Sequence, residues 1–347
     1  MEMTASAYAF VRGFTHAAFP MEDTTRVGEA RRHAAWTASA AGLDATAAGR
    51  LAIVVTELGA NLVRHARGGQ LLIGAGAGSG EVEVISIDRG PGIADVGRSM
   101  ADGFSTGGTP GTGLGAVRRL AQDFDLHTRV PEGTVMVARV RNDAAPRAAR
   151  GLPCAGISLC APGETECGDA WAAWVEGDRA TVMVADGLGH GPEAAEASRA
   201  AIDLFEQRRD DVERGALGDL VERSHDALRG TRGAALAVVR ADAGAGTLRY
   251  CGAGNVLGRA VSGTSDRSLV TQHGTVGVQL RRPEEAAVAW PEHALVAMHS
   301  DGIESRWNPM LIAPVLRQDP ALAAALLLRD HCRGRDDATV VVVRRKD

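Results

Sequence analysis

Residues 45–66 read ATAAGRLAIVVTELGANLVRHA, and the fold of the first half of the chain turns on this stretch. Ile53, Val54, Leu58 and Leu62 recur at helical spacing, which predicts an amphipathic helix over 45–66. Glu57 and Asn61 stand four residues apart on one face of it, about 5–6 Å apart at Cβ. A carboxylate and a carboxamide at that spacing can share a magnesium ion, which takes oxygen ligands and keeps several waters. Two polar residues on a helix are by themselves more simply a solvated face. Two glycine-rich boxes further along the chain change that balance.

Upstream, a helical pattern opens near Thr24 and stops at Gly42. Downstream, Gln70–Ala75 and Glu81–Asp88 read as a hairpin across the turn GAGSG. The second of these strands ends in DRGPGI, residues 88–93. An Asp88 followed by Gly90 and Gly92 can accept a hydrogen bond from a base amino group, while bare glycine backbone lets a ring approach. Next comes TGGTPGTGLG, residues 106–115, running into a helix over 114–122. Backbone amides exposed by glycine at a helix N-terminus cradle phosphates. A tight turn and a flexible loop are the plainer readings of the two glycine boxes taken singly. Strands over 125–129 and 133–140 complete an α+β unit, and 141–153, RNDAAPRAARGLP, reads as a linker.

The ordered set ELGANLVRHA, DRGPGI and TPGTGLG resembles the N-box and the two glycine boxes of the GHKL ATPase superfamily. The longer stretch 102–128, DGFSTGGTPGTGLGAVRRLAQDFDLHT, is similar to the RsbT-type serine/threonine kinases of bacterial partner-switching systems. The resemblance implies a Bergerat-type ATP-binding α/β sandwich over residues 1–141, using ATP and Mg2+. By that likeness Glu57 is the general base, Asn61 the Mg2+ ligand and Asp88 the adenine-binding acid. Gly90 and Gly92 line the base pocket, while Thr106, Gly111, Gly113 and Gly115 lie around the phosphates. Arg64 and His65 are read as ordinary surface residues. The Thr109–Pro110 pair departs from the family's glycine and apolar pattern. No phosphoacceptor-histidine helix and no long transducer domain accompany the boxes.

Beyond 152 the pattern changes to many short apolar strands. Acids sit at their ends: Asp169 in GDAW, Asp186 in VADGLGHG, Asp301 in HSDGI, and Asp336–Asp337 in GRDDATVVVV. One such Asp-Gly is a turn. Four such sites suggest a carboxylate cluster, which selects hard cations such as Mg2+ or Mn2+. Two such ions close together can activate a water against a phosphoryl group. These segments, with CGDAW and DDATVVVVR, resemble the PPM metal-dependent serine/threonine phosphatases of the SpoIIE and RsbX branch. That likeness implies an α-β-β-α sandwich over 153–347, joined through a linker at 142–152 and holding two Mn2+ or Mg2+. Asp186 would bridge both ions, Gly187 would offer its carbonyl, and Asp301 and Asp336 would complete the set. Asp169 is either a ligand or lies behind the ligands. His190 either approaches the phosphate or is a turn residue. GAGN (252–255) and TRGAALAVV (231–239) are read as scaffold.

Composition removes other classes. Of 38 Lys+Arg residues only Lys346 is a lysine, which excludes a Walker A loop, Schiff-base chemistry and kinases built on a strand lysine. The net charge of −5 is spread over both halves, with no nucleic-acid footprint. The five cysteines form no CxxC pair, so neither a disulfide framework nor a zinc site is expected, and a reducing cytoplasm is. Apolar runs such as 321–328 are too short to span a membrane, and no targeting segment is read at the start.

Together the two resemblances imply a bifunctional cytoplasmic regulator of a stress-signalling partner switch. Its substrates would be Ser/Thr residues on STAS-domain proteins, either anti-sigma antagonists or stressosome scaffolds. A rival makes the first half a binding module: an anti-sigma factor holding a sigma factor, a docking domain for a downstream phosphatase, or a nucleotide gate without kinase turnover.

Overall fold

The computed structural model describes residues 9–100, 113–143 and 151–345. The chain divides into two units. One begins at His16; the other joins residues 9–15 to residues 151–345. The first strand, β1 (Ala9–Arg12), pairs antiparallel with β8 (Asp169–Glu176) of the second unit. The expectation of a single domain over 1–141 is therefore corrected at its start. Of the expected linker, 144–150 lies outside the described residues.

In the first unit α1 (Thr24–Ala41) and α2 (Ala45–His65) lie on a five-stranded antiparallel sheet. Its order is β2 (Ala17–Pro20), β3 (Gln70–Gly74), β4 (Glu81–Ile87), β6 (Gly133–Arg141) and β5 (Asp123–Arg129). Asp23 caps α1 by accepting from the Thr25 amide at 2.7 Å, and Gly42 ends it at φ 75°. Asp44 caps α2 through the Ala47 amide at 2.8 Å. The stripe Leu51, Val54, Val55, Leu58 and Leu62 is buried. It packs in one core with Leu71, Ile73, Val82, Val84, Met136, Ala138 and Val140, alternate residues of the strands. Ile53, expected on that stripe, is 46% exposed, and Val55 takes its place. By length and composition α2 could cross a membrane, but its apolar face is occupied by this sheet. Two short helices complete the unit, α3 (Val96–Met100) and α4 (Gly113–Leu120).

The second unit is two stacked sheets with helices outside. One sheet runs β1, β8, β9 (Arg179–Gly187), β10 (Ala234–Asp242), β11 (Thr247–Ala253) and β14 (Ala286–Ala289). The other runs β13 (Asp266–Leu269), β12 (Leu257–Val261), β15 (Leu295–His299), β16 (Ala338–Arg344) and β7 (Cys154–Leu159). Trp171, Ala173, Val182, Val184, Ala237 and Val239 face Val296, Met298, Val341 and Val343 between the sheets. The alternate residues Ala172, Met183, Ala185, Leu236 and Val238 meet Ile202 and Phe205 of α5 (Pro192–Gln207). Val212 of α6 (Arg209–Arg214) and Leu220 and Val221 of α7 (Leu217–Ala227) join that layer. The apolar α8 (Pro320–His331) covers β7 and β16. This period-2 division is what makes an α-β-β-α sandwich.

Among the polar groups buried in the first unit's sheet, one is an acid paired across two strands. Glu83 of β4 stands directly across from Arg139 of β6, which donates to Glu83 Oε2 at 2.6 Å. His16 Nε2 lies 3.1 Å from Glu83 Oε1. Burial works to raise the Glu83 carboxyl, but the Arg139 charge, followed by His16, overcomes it and holds it at about 2. A lowered carboxyl contributes stability above its ordinary value of 4.5 and loses it as pH falls from there to about 2. Urea unfolding followed by circular dichroism should show this slope in the parent chain and not in Glu83→Gln. Arg139→Met strands a buried carboxylate and should cost the unit about 3–5 kcal/mol. A cost under 1 kcal/mol, in the range of an exposed pair, would refute the arrangement.

Candidate functional site

The structure brings the sequence boxes of the first unit together through glycine. Gly113 opens α4, and a Cβ built there would lie 3.3 Å from Glu57 Oε2 and 3.7 Å from each end of the Asn61 amide. The helix start thus sits directly over Glu57 and Asn61, close enough that any side chain there would touch the end of Glu57. Asp88 is buried, accepts the Gly90 amide at 2.6 Å and donates its own amide to the Thr134 carbonyl at 2.9 Å. Gly90 presses on the end of α2, where a Cβ would meet the His65 carbonyl at 3.0 Å. Gly92, at φ 74°, lies against the Arg129 carbonyl. Thr128 and Thr134, which sequence reasoning did not single out, hold this turn: the Thr128 hydroxyl accepts the Ile93 amide at 2.8 Å and lies 3.0 Å from the Thr134 hydroxyl. Gly115 is buried within α4, and Arg64 and His65 are exposed. Thr106 and Gly111, with Thr109 and Pro110, lie outside the described residues. Oxygen donors beneath a helix N-terminus suit a magnesium–polyphosphate group, because amides and dipole favour the anion and the oxygens favour the cation.

The second unit gathers acids from four places in the chain. Asp169 of β8 and Asp186 of β9 are direct cross-strand partners, and Gly187 ends β9. The Asp301 amide donates to the Asp186 carboxylate, and Asp301 and Asp336 both act on Asp186 as like charges. Asp169 Oδ2 accepts the Ser300 hydroxyl at 2.6 Å, but Asp169 Oδ1 and Asp186 Oδ2 are buried with no hydrogen-bond partner among the described residues. Burial, then the charges of Asp169 and Asp301, push Asp186 up to about 9. Burial pushes Asp169 up to about 7, with Ser300 opposing and Asp337 adding to the rise. Asp301 is raised by burial and by Asp336, against the pull of Arg333. Unpartnered oxygens on clustered, proton-retaining carboxylates fit hard divalent cations, which would satisfy both the lone pairs and the charge.

Several residues acquire places that the sequence did not assign. Asn255, read as scaffold, donates to Asp301 Oδ2 at 2.6 Å. Asp337 accepts the Ala161 amide at 2.8 Å, and its own amide donates to Asp336 Oδ1 at 2.9 Å. His190 pairs with Glu164 at 2.7 Å on an exposed loop. Cys160 and Cys167, expected to have no site, are brought together with Asp337, their ligating atoms all within 4.8 Å of one another. The arms carrying Asp301 and Asp336 are joined by an Ile303–Cys332 bridge, and beside them Glu304, Ser305, Arg306, Arg333 and Arg335 line an open cavity of about 480 Å³. Such spatial neighbours leave no mark in sequence spacing.

Residues 19–140 match the Histidine kinase-like ATPase domain family, and residues 176–346 match Stage II sporulation protein E (SpoIIE). Among curated proteins the chain is 40% identical over 91 residues to the Serine/threonine-protein kinase RsbT of Bacillus subtilis (strain 168). That match covers 26% of this chain and 68% of RsbT. It is 34% identical over 95 residues to the Phosphoserine phosphatase RsbX of the same organism, covering 27% of this chain and less than half, 45%, of RsbX. Among solved structures, a chain from work on the bacterial stressosome aligns over 56% of this chain and 99% of its own length, at 29% identity and TM-score 0.51. RsbX in complex with magnesium aligns over 58% of this chain and 98% of its own, at 20% identity and TM-score 0.50, a likeness of fold.

The raised acids set a sign for cation binding. Folded carboxyls above their ordinary value hold protons that the unfolded chain has released, so without metal the fold loses stability as pH rises through about 7 (Asp169) and about 9 (Asp186). Divalent cations compete with those protons. The rise in Tm on adding Mn2+ should therefore be larger near pH ~8.5 than near pH ~5.5. Asp186→Asn should raise the metal-free Tm at the higher pH and remove most of the Mn2+ increment. Scanning calorimetry showing equal increments at both pH values would disprove the carboxylate cluster as the binding site.

Proposed function

The chain belongs to the histidine kinase-like ATPase family and carries a SpoIIE domain with the PPM serine/threonine phosphatase fold, and from that premise we propose that it both phosphorylates and dephosphorylates a partner-switching protein. The observation that supports this reading best is the pair of sites in one chain. Gly113 is seated over Glu57 and Asn61 in one unit, and Asp169 faces Asp186 with unpartnered oxygens in the other.

In the first unit ATP would supply the phosphoryl group. Asp88 would accept from the base, Asn61 would hold Mg2+, and the amides at the start of α4 would receive the phosphates. Glu57 Oε2 would take the proton from the acceptor serine or threonine hydroxyl as its oxygen attacks. In the second unit divalent cations, held by Asp169, Asp186, Asp301, Asp336 and the Gly187 carbonyl, would lower the pKa of the attacking water and neutralise phosphoryl charge. Ser300 and Asn255 hold Asp169 and Asp301 in place through hydrogen bonds of 2.6 Å each. Arg306, Arg333 and Arg335 would draw an acidic, phosphorylated protein toward these acids. The proposed substrates are Ser/Thr residues of STAS-domain proteins in the cytoplasm.

Full-length protein with ATP, Mg2+, Mn2+ and a purified STAS-domain partner should set a steady phosphorylation level, read by intact mass. Asp186→Asn should drive it toward full occupancy, and Glu57→Ala toward none. If neither variant moves the level, the two activities do not share that partner. A sigma factor retained stoichiometrically, with no phosphate transfer, would establish the binding-module alternative instead.

A further inference from the structure

A second, chemically different metal site lies beside the carboxylate cluster. The loop after β7 carries Cys160 and Cys167 with six residues between them. It is closed by the Glu164 amide donating to the Ala161 carbonyl at 3.0 Å. This brings the two sulfurs and a carboxylate oxygen of Asp337 within 4.8 Å of one another. Cys167 and Asp337 are buried and Cys160 is half-buried. Asp337 Oδ1 accepts the Ala161 amide at 2.8 Å, the Gly168 amide and the Cys167 thiol also act on this carboxyl as donors, and its buried Oδ2 has no partner at hydrogen-bond distance among the described residues. The loop backbone is fitted to that oxygen: a Cβ at Gly168 would lie 2.7 Å from Asp337 Oδ2. Cys167 Sγ has a long contact of 3.5 Å to the Leu159 carbonyl.

We infer that Cys160, Cys167 and Asp337 form a site for one thiophilic divalent cation of the zinc class, separate from the hard-cation site of Asp169, Asp186, Asp301 and Asp336. Two sulfurs and one oxygen are the donors that zinc accepts, and they are wrong for Mg2+, which demands oxygen. Binding exchanges two thiol protons, released to solvent, for two metal–sulfur bonds. The cation also supplies the missing partner of Asp337 Oδ2, and a remaining position stays open to solvent. A disulfide between the same cysteines would leave that oxygen unsatisfied, which favours the metal. Because Asp336 is the next residue along the chain, filling this site would tether the arm that carries it.

The test uses full-length protein, reduced, stripped with a chelator and given Co2+ alone, then Zn2+ alone. One equivalent of Co2+ should produce the strong near-ultraviolet absorption of thiolate-to-cobalt charge transfer, and Zn2+ should abolish it by displacement. The titration should release protons. Cys160→Ser and Cys167→Ser should each lose the band, whereas Asp186→Asn should keep it. Cys160 is half-buried, so its serine variant guards against a folding failure at Cys167. The inference is overturned if the parent protein gives no such band. It is equally overturned if the band survives in Cys160→Ser, or if the two cysteines are recovered as a disulfide in protein that takes up no zinc. None of these readouts uses phosphatase or kinase activity, so failure here is distinct from failure of the proposed function.

Discussion

Asp169, buried, and Asp186, half-buried, face each other across two paired strands, each with a buried oxygen that nothing among the described residues satisfies. Two like charges placed this way would normally be selected against, because burial and repulsion both oppose ionisation. Everything around them keeps them there. Ser300 and the Asp301 amide each satisfy part of one carboxylate, and Asn255 holds Asp301. Two sheets and three apolar layers position these groups within hydrogen-bond range of each other. The unit thus carries an instability that a bound cation would relieve.

Close backbone approach is the second constraint, and it explains part of the glycine content. A Cβ on Gly187 would lie 2.1 Å from the Ala194 carbonyl oxygen, so the start of α5 packs directly on the end of β9. Gly302 is tighter still, with its virtual Cβ 1.9 Å from the Asp337 carbonyl oxygen. Both glycines follow a cluster aspartate. They allow the strand ends to crowd together so that acids distant in sequence become neighbours.

The N-terminal strand has a different consequence. β1 extends the sheet that carries Asp169, with the tilted rings of Phe10 and Trp174 4.8 Å apart and the Gly13 amide bonded to the Trp171 carbonyl at 2.9 Å. The segment 9–15 therefore belongs to the phosphatase-type unit although the ATPase-type unit follows it in the chain. A fragment starting after residue 150 lacks that strand and leaves the hydrogen-bonding edge of β8 open.

Local chemistry determined a good deal without any structure. The helix starts near Thr24 and Ala45, the stop at Gly42 and most of the apolar stripe of α2 were legible because helix ends and helix periodicity depend on residues a turn apart. The boxes around Glu57, Asp88 and Gly113 and the four Asp strand ends were legible for the same reason: each is a short motif. β1, β2, β8 and β12 to β14 were not, since strands are stabilised by partners far away in sequence, as Ala9 is by Val175. The tertiary structure alone decided which acids meet, that Asn255 and Ser300 serve them, and that Cys160, Cys167 and Asp337 converge. The distance between side chains far apart in the chain is set by sheet register and packing, which no local pattern encodes.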